Sequence, residues 1–258
     1  MTAATGGKNR MIPLFKSEYS LKSILTLEPY QVQEARVKGS ADSILDICKD
    51  HNIEKFVLID DNMSGFPIAV ANTNKAGLEF IFGWRATIQE KENLTKDTII
   101  ERYANSHNVI IFLKSMEHYG SLCRLYKEAH IDNKGLTEGL LKQRWCDGFK
   151  LAIPFYDSFI FNNSMTFQTC ILDYDFFKPT FFLEDNDLPF DNIIREKITK
   201  EYAEYPSLET KTIYYKDRKD CDAFMVYKCI HNRTILNKPN LDHFGSREFC
   251  FESYLEKV

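Results

Sequence analysis

Residues 56–65 of the sequence are FVLIDDNMSG, and they are the clearest indication of the fold. The first four of these residues form an unbroken apolar run, which is typical of a strand covered on both faces. Asp60 and Asp61 follow directly, and the next four residues, NMSG, have the composition of a turn. In α/β folds, ligands usually bind beyond the carboxyl ends of the strands. The stretch therefore predicts a buried strand that carries two carboxylates to a candidate site.

Six more apolar runs have the length and composition of buried strands. They are 78–82 (LEFIF), 109–113 (VIIFL), 151–155 (LAIPF), 169–172 (TCIL), 180–183 (TFFL) and 212–215 (TIYY).

Helix signals lie between these runs. Ser40 is a candidate cap for a helix with apolar residues at 44, 45, 47 and 48, and Thr95 for one with apolar residues at 99, 100 and 103. Residues 117–129 and 192–203 continue the series. Repeated strand–helix units predict an α/β protein with a mainly parallel sheet, either open or closed into a barrel. No internal repeat or linker interrupts the pattern, so we expect one domain over 11–258, after a flexible leader at 1–10.

Composition excludes several classes of protein. The chain has 258 residues and a formal net charge of −4, which argues against wholesale binding along a phosphate backbone. No apolar run approaches the roughly 20 residues that cross a bilayer, and no signal peptide opens the sequence. The seven cysteines are scattered and form no C-x-x-C pair, which favours reduced thiols in the cytoplasm.

The pair Asp60–Asp61 has two interpretations. The carboxylates could hold a hard cation or act as acid and base. Alternatively, they could simply belong to a turn that caps the next helix. The six histidines are isolated from one another, and no common phosphate-loop or metalloprotease motif occurs.

Taken in order, several segments resemble the PHP (polymerase and histidinol phosphatase) domain at the start of bacterial C-family replicative DNA polymerase alpha subunits. The segments are IPLFKSEYSL (12–21), LIDDNMSG (58–65), GLEFIFGWR (77–85), YGSLCRL (119–125) and KTIYY (211–215). The resemblance spans about residues 11–253. It implies a distorted (β/α)7 barrel and a function in DNA replication.

Residues at the family's metal-binding positions differ in this sequence. Where the family has histidines in its first segment, this chain has Leu14 and either Ile12 or Lys16, and Arg85 stands where the family has a glutamate. Tyr214 falls where the last histidine would be. Because two cations replace metal ligands, we expect no resident metal and no phosphoesterase activity.

The resemblance leaves three functions open. The first is a non-catalytic accessory or structural module that binds a replicative DNA polymerase core or another replisome protein, with the aromatic tail 249–254 either docking on that partner or packing as an ordinary last element. The second is a phosphoesterase or 3′–5′ exonuclease with manganese or zinc. Its rearranged set of ligands would be Asp60, Asp61, His107 and Asp217.

The third function is a binding module for phosphate or a nucleic-acid end. The pocket in that case would be formed by Lys16, Glu18, Arg85 and Tyr214.

Overall fold

Seven strands close into a barrel in the order in which they occur along the chain. The structure is a computed structural model, and it describes residues 11–29, 41–89, 106–132, 135–166, 170, 176–236 and 245–258. The strands are β1 (Ile12–Phe15), β2 (Lys55–Asp60), β3 (Glu79–Gln89), β4 (Ser106–Leu113), β5 (Phe149–Ile153), β6 (Thr180–Leu183) and β7 (Ser207–Ile213). This confirms the expected single-domain α/β barrel, and it is consistent with the (β/α)7-like fold that the resemblance implies.

Eight α-helices occur among the described residues. They are α1 (Ile44–Asp50), α2 (Phe66–Ala76), α3 (Tyr119–Lys127), α4 (Glu138–Arg144), α5 (Phe159–Met165), α6 (Asp191–Glu201), α7 (Cys221–Asn232) and α8 (Phe251–Lys257). In the part of the chain that the structure describes, no helix has both the length and the apolarity that a bilayer-spanning segment needs.

The direction of one strand corrects the expectation of a simple strand–helix repeat. β4 runs antiparallel to both β3 and β5, whereas the other five pairings in the barrel are parallel. The amino end of β4 therefore lies at the same end of the barrel as the carboxyl ends of the other strands. Apolar runs do not reveal strand direction, because a strand buried on both faces has the same composition either way.

Side chains alternate between the bore of the barrel and the layer of helices around it. The bore is filled by a small apolar cluster of Leu14, Ile59, Ile110, Ala152 and Phe182. The alternate residues face outward and join a much larger core beneath the helices.

Several strand boundaries differ from those predicted, among them the following three ends. β3 extends to Gln89, β5 ends before Pro154, and β7 begins at Ser207 rather than at 212. The first half of β7 is polar and partly exposed, so it carries no apolar signal. α1 begins after Ser43, whose side chain accepts a hydrogen bond from the backbone of Asp46. Ser43 thus caps this helix.

Several predicted features lie outside the described residues. These are the leader at 1–10, the Ser40 cap, the helix after Thr95, and the strand at 169–172 apart from Cys170, which belongs to no strand.

The aromatic tail packs on the barrel's own core. Phe249 and Phe251 are fully buried and Tyr254 is nearly so. The Phe251 ring stacks on that of Phe15, with 5.9 Å between their centroids. These rings therefore pack as an ordinary last element, which is one of the two alternatives, and as buried rings they present no docking surface.

Candidate functional site

The candidate site lies at the end of the barrel where the parallel strands finish and β4 begins. We call this end the carboxyl mouth and define it by the polar residues that continue the inward-facing rows of the bore. They are Lys16, Asp61, Arg85, Asn108, Asp157, Glu184 and Thr212. Above them is an open cavity of about 520 Å³, lined largely by polar side chains that include Lys22 and His130.

Asp60 and Asp61 do not form a pair, because consecutive strand residues point to opposite faces. Asp60 is fully buried and accepts hydrogen bonds from Ser17, one from the backbone nitrogen at 2.9 Å and one from the hydroxyl at 2.6 Å. Burial raises its pKa to about 6, although the bonds from Ser17 act in the opposite direction. Asp60 thus ties the end of β2 to the end of β1 behind the mouth.

Asp61 faces the cavity and meets three cations. Its Oδ1 atom lies 3.5 Å from Lys16 Nζ and 3.3 Å from Arg85 Nη1, and its Oδ2 atom lies 3.9 Å from Lys22 Nζ. Burial by itself would raise the pKa of Asp61, but Lys16 and Arg85 together hold it well below the ordinary value. Asp61 is therefore a carboxylate whose charge is already balanced by the protein.

Arg85 links two carboxylates across the mouth. Besides Asp61, it binds Asp157, whose Oδ2 atom accepts from Arg85 Nη2 at 2.6 Å. Asp157 has a left-handed backbone conformation, with φ of 58°, which aspartate tolerates better than most residues. Its carbonyl accepts from the backbone of Asn108 at 2.8 Å. The loop after β5 is thus tied to both β3 and β4.

Lys16 is the most enclosed cation of the mouth. Its side chain is 6% exposed, and its Nζ atom lies 5.9 Å from the centroid of the Tyr214 ring. Burial lowers the pKa of Lys16 to about 8, against the opposing effect of Asp61. Among the described residues, Lys16 Nζ has the ion pair with Asp61 but no hydrogen bond of normal geometry.

Glu184, which the sequence analysis did not single out, completes the inner wall of the mouth. It is buried, and it accepts bonds from the Thr212 hydroxyl at 2.7 Å, the Thr212 backbone at 3.0 Å and Asn186 Nδ2 at 3.0 Å. Burial raises the pKa of Glu184. Glu184 and Asp157 both follow an apolar run, so the rule that identified Asp60 and Asp61 could also have found them.

The structure brings together three of the four predicted pocket residues. Lys16, Arg85 and Tyr214 line one small inner cavity. Glu18 lies elsewhere, in the 3-10 helix Glu18–Ser20, where it accepts a hydrogen bond from the Thr26 hydroxyl at 2.7 Å.

The four alternative metal ligands have separate surroundings. His107 faces outward from β4 against Phe159, and burial lowers its pKa to about 4. Asp217 caps the 3-10 helix Arg218–Asp220 and pairs with Lys219 at 3.0 Å. Among the described residues, no group of three or more His, Cys, Asp and Glu side chains could hold a metal ion. The described residues therefore do not fit a polynuclear metal centre.

Comparison with protein-family models and with curated proteins found no match for this chain.

Proposed function

We propose that this protein is a non-catalytic PHP-like module that supports a replicative DNA polymerase. Two lines of argument support the proposal. The five sequence segments occur in the order of the polymerase family, and a closed seven-stranded barrel is the architecture that they imply. The partner would be the polymerase core or another replisome protein.

The ion-pair network around Asp61 is the observation that supports a non-catalytic role. Lys16 and Arg85 occupy positions where the resembling family has metal ligands, and both lie within 3.5 Å of the Asp61 carboxylate. Two unit charges 4 Å apart interact with about 4 kcal/mol at an effective dielectric constant of 20. A divalent cation entering the mouth would be repelled by two cations and would have to compete with them for the carboxylate.

The seven cysteines are all free thiols, and five of them are buried. Free thiols suit a reducing compartment, so we infer that the protein acts in the cytoplasm.

Association with the polymerase core is the direct test. The cognate core would be run with this chain in gel filtration at micromolar concentration, and an equimolar complex is expected. Failure of the two proteins to co-elute would contradict the accessory role.

Metal-dependent activity is tested separately. Calorimetry with manganese and with zinc is expected to give no stoichiometric binding, and a 3′-labelled single strand is expected to stay uncut. Cleavage that requires metal and is lost in Asp61→Asn, but not in the exposed-site control Asp222→Asn, would overturn the non-catalytic assignment.

A second candidate function is binding of phosphate or a nucleic-acid end above the mouth. The observation that favours it is the 520 Å³ cavity, at whose wall Lys22 and Arg85 lie. Salt-dependent binding of inorganic phosphate or a short single strand, weakened in Lys22→Gln, would support it. Equal binding by Lys22→Gln and the control Lys75→Gln would contradict it.

A further inference from the structure

The opposite end of the barrel contains a second large cavity. We call this end the amino mouth and define it by the inward-facing residues at the starts of the parallel strands and the end of β4: Ile12, Lys55, Lys114, Lys150, Thr180 and Leu208. The cavity has a volume of about 530 Å³, within the range of roughly 300–1,000 Å³ that is usual for small-molecule sites. It is separate from the ion-pair network of the carboxyl mouth.

The wall of this cavity is largely apolar. Its depth is formed by apolar side chains of the bore, and the ring of Phe112 in its wall lies against Gly83. A methyl group added at Gly83 would come within 2.5 Å of that ring. Leu208 is 40% exposed at the rim. An apolar wall that opens to solvent in this way favours an apolar ligand group.

The rim of this cavity is cationic. Lys55 pairs with Glu79 at 3.0 Å, but Lys114 and Lys150 have no ion pair among the described residues. These two lysines lie on adjacent antiparallel strands, where Lys150 is opposite Phe112 and the backbone of Lys114 donates to Gly148. They are therefore diagonal neighbours on one face, with backbones about 7–8 Å apart. Two cations on neighbouring positions of one face favour an anion bound between them.

We propose that the amino mouth binds an amphiphilic anion, with its carboxylate or phosphate head between Lys114 and Lys150 and its apolar tail in the apolar cavity. This proposal goes beyond the polymerase role and does not rest on it. The chain's own residues 1–10 have the wrong charge for this site, because they contain Lys8 and Arg10 and no acidic residue.

Calorimetry of the full chain with decanoate, decyl phosphate and decanol, each below its micellar concentration, tests the proposal. We expect one molecule of either anion per chain, and at least tenfold weaker binding of the neutral alcohol. The two anions distinguish a carboxylate head from a phosphate head.

Two variants test the two parts of the site. Lys114→Gln/Lys150→Gln should weaken anion binding at least tenfold, whereas the control Lys75→Gln/Lys178→Gln, which removes the same charge from other exposed positions, should bind normally. Leu208→Trp should block the entrance for all three probes. Circular dichroism and thermal melting of each variant establish that it is folded.

Several results would overturn the proposal. The first is absence of anion binding to the wild-type chain, and the second is equal affinity for decanol and the anions. The third is an equal loss of anion affinity in Lys114→Gln/Lys150→Gln and in the control Lys75→Gln/Lys178→Gln. If the wild-type chain is a dimer and Leu208→Trp is a monomer, this face binds a second copy of the chain instead of an anion.

Discussion

The two mouths of the barrel both have cationic side chains, but the surroundings of these cations differ. At the carboxyl mouth, Lys16 and Arg85 share Asp61 with Lys22, and Arg85 also binds Asp157. At the amino mouth, Lys114 and Lys150 stand beside an apolar cavity without an anionic partner among the described residues. A cation whose partner is already in the protein stabilises the fold, whereas a cation without one is available to a ligand.

The largest effect is expected from breaking the ion-pair network of the carboxyl mouth. Arg85→Ala should lower the free energy of unfolding by about 3 kcal/mol, because Asp61 and Asp157 each lose an ion pair with a guanidinium that is itself largely buried. Urea unfolding measures this loss. Lys150→Ala at the amino mouth is the control and should stay within about 0.5 kcal/mol of wild type. Equal losses of unfolding free energy in Arg85→Ala and Lys150→Ala would contradict the difference proposed between the cations of the two mouths.

The pH dependence of Lys16 should give the next largest effect. The folded protein releases the Lys16 proton at a pKa of about 8, whereas the unfolded chain keeps it up to the ordinary value of 10.5. The unfolded state binds more protons between these values, so this group makes the protein more stable as pH rises from 8 to 10.5.

The measurement is the difference in unfolding free energy between wild type and Lys16→Met across that range of pH. Wild type should gain on the order of 2–3 kcal/mol relative to the variant, since one pKa unit corresponds to about 1.4 kcal/mol. The subtraction cancels the contributions of other titrating groups. A constant difference would mean that Lys16 is not enclosed as described.

The packing of side chains inside the bore can be tested at Gly83. Gly83→Ala places a methyl group within 2.5 Å of the Phe112 ring and 2.8 Å of Ile110. We expect a loss of about 2 kcal/mol from overpacking. Thermal melting measures it, with Gly120→Ala as a control, since no atom lies within 4 Å of the Cβ position there. Wild-type stability of Gly83→Ala would show that Phe112 and Ile110 are not packed tightly against Gly83.

The smallest effect on stability is expected at the rim of the amino mouth. Lys114→Gln/Lys150→Gln should change the free energy of unfolding by less than about 0.5 kcal/mol, or raise it slightly, because two neighbouring like charges are removed. Urea unfolding at low salt measures this change. A loss above 1 kcal/mol would indicate that these lysines have structural partners and are not free to bind an anion.

The sequence predicted the carboxyl mouth better than the amino mouth. Asp61 and Arg85 were found because one follows an apolar run and the other falls in a segment that resembles a known family. The lysines of the amino mouth gave no such signal, since an isolated lysine at a strand end usually means a solvated surface. Glu184 and Asp157 follow apolar runs as Asp61 does, so their positions in the sequence carry the same signal.

The sequence also could not separate the roles of Asp60 and Asp61. Both follow the same apolar run, yet one is buried against Ser17 and the other faces three cations. The choice depends on which residues of β2 face the bore, and closure of the barrel decides that. A shift of one residue in register would have exchanged their places.

Local composition is enough to predict which segments are apolar enough to be buried as strands. The α/β class of the fold follows from these segments and the helix signals between them. The reversal of β4, the meeting of Lys16 and Arg85 at one carboxylate, and the position of two lysines beside the apolar cavity of the amino mouth all depend on the tertiary structure. These features join residues far apart in the chain, and strand order, direction and register bring them together.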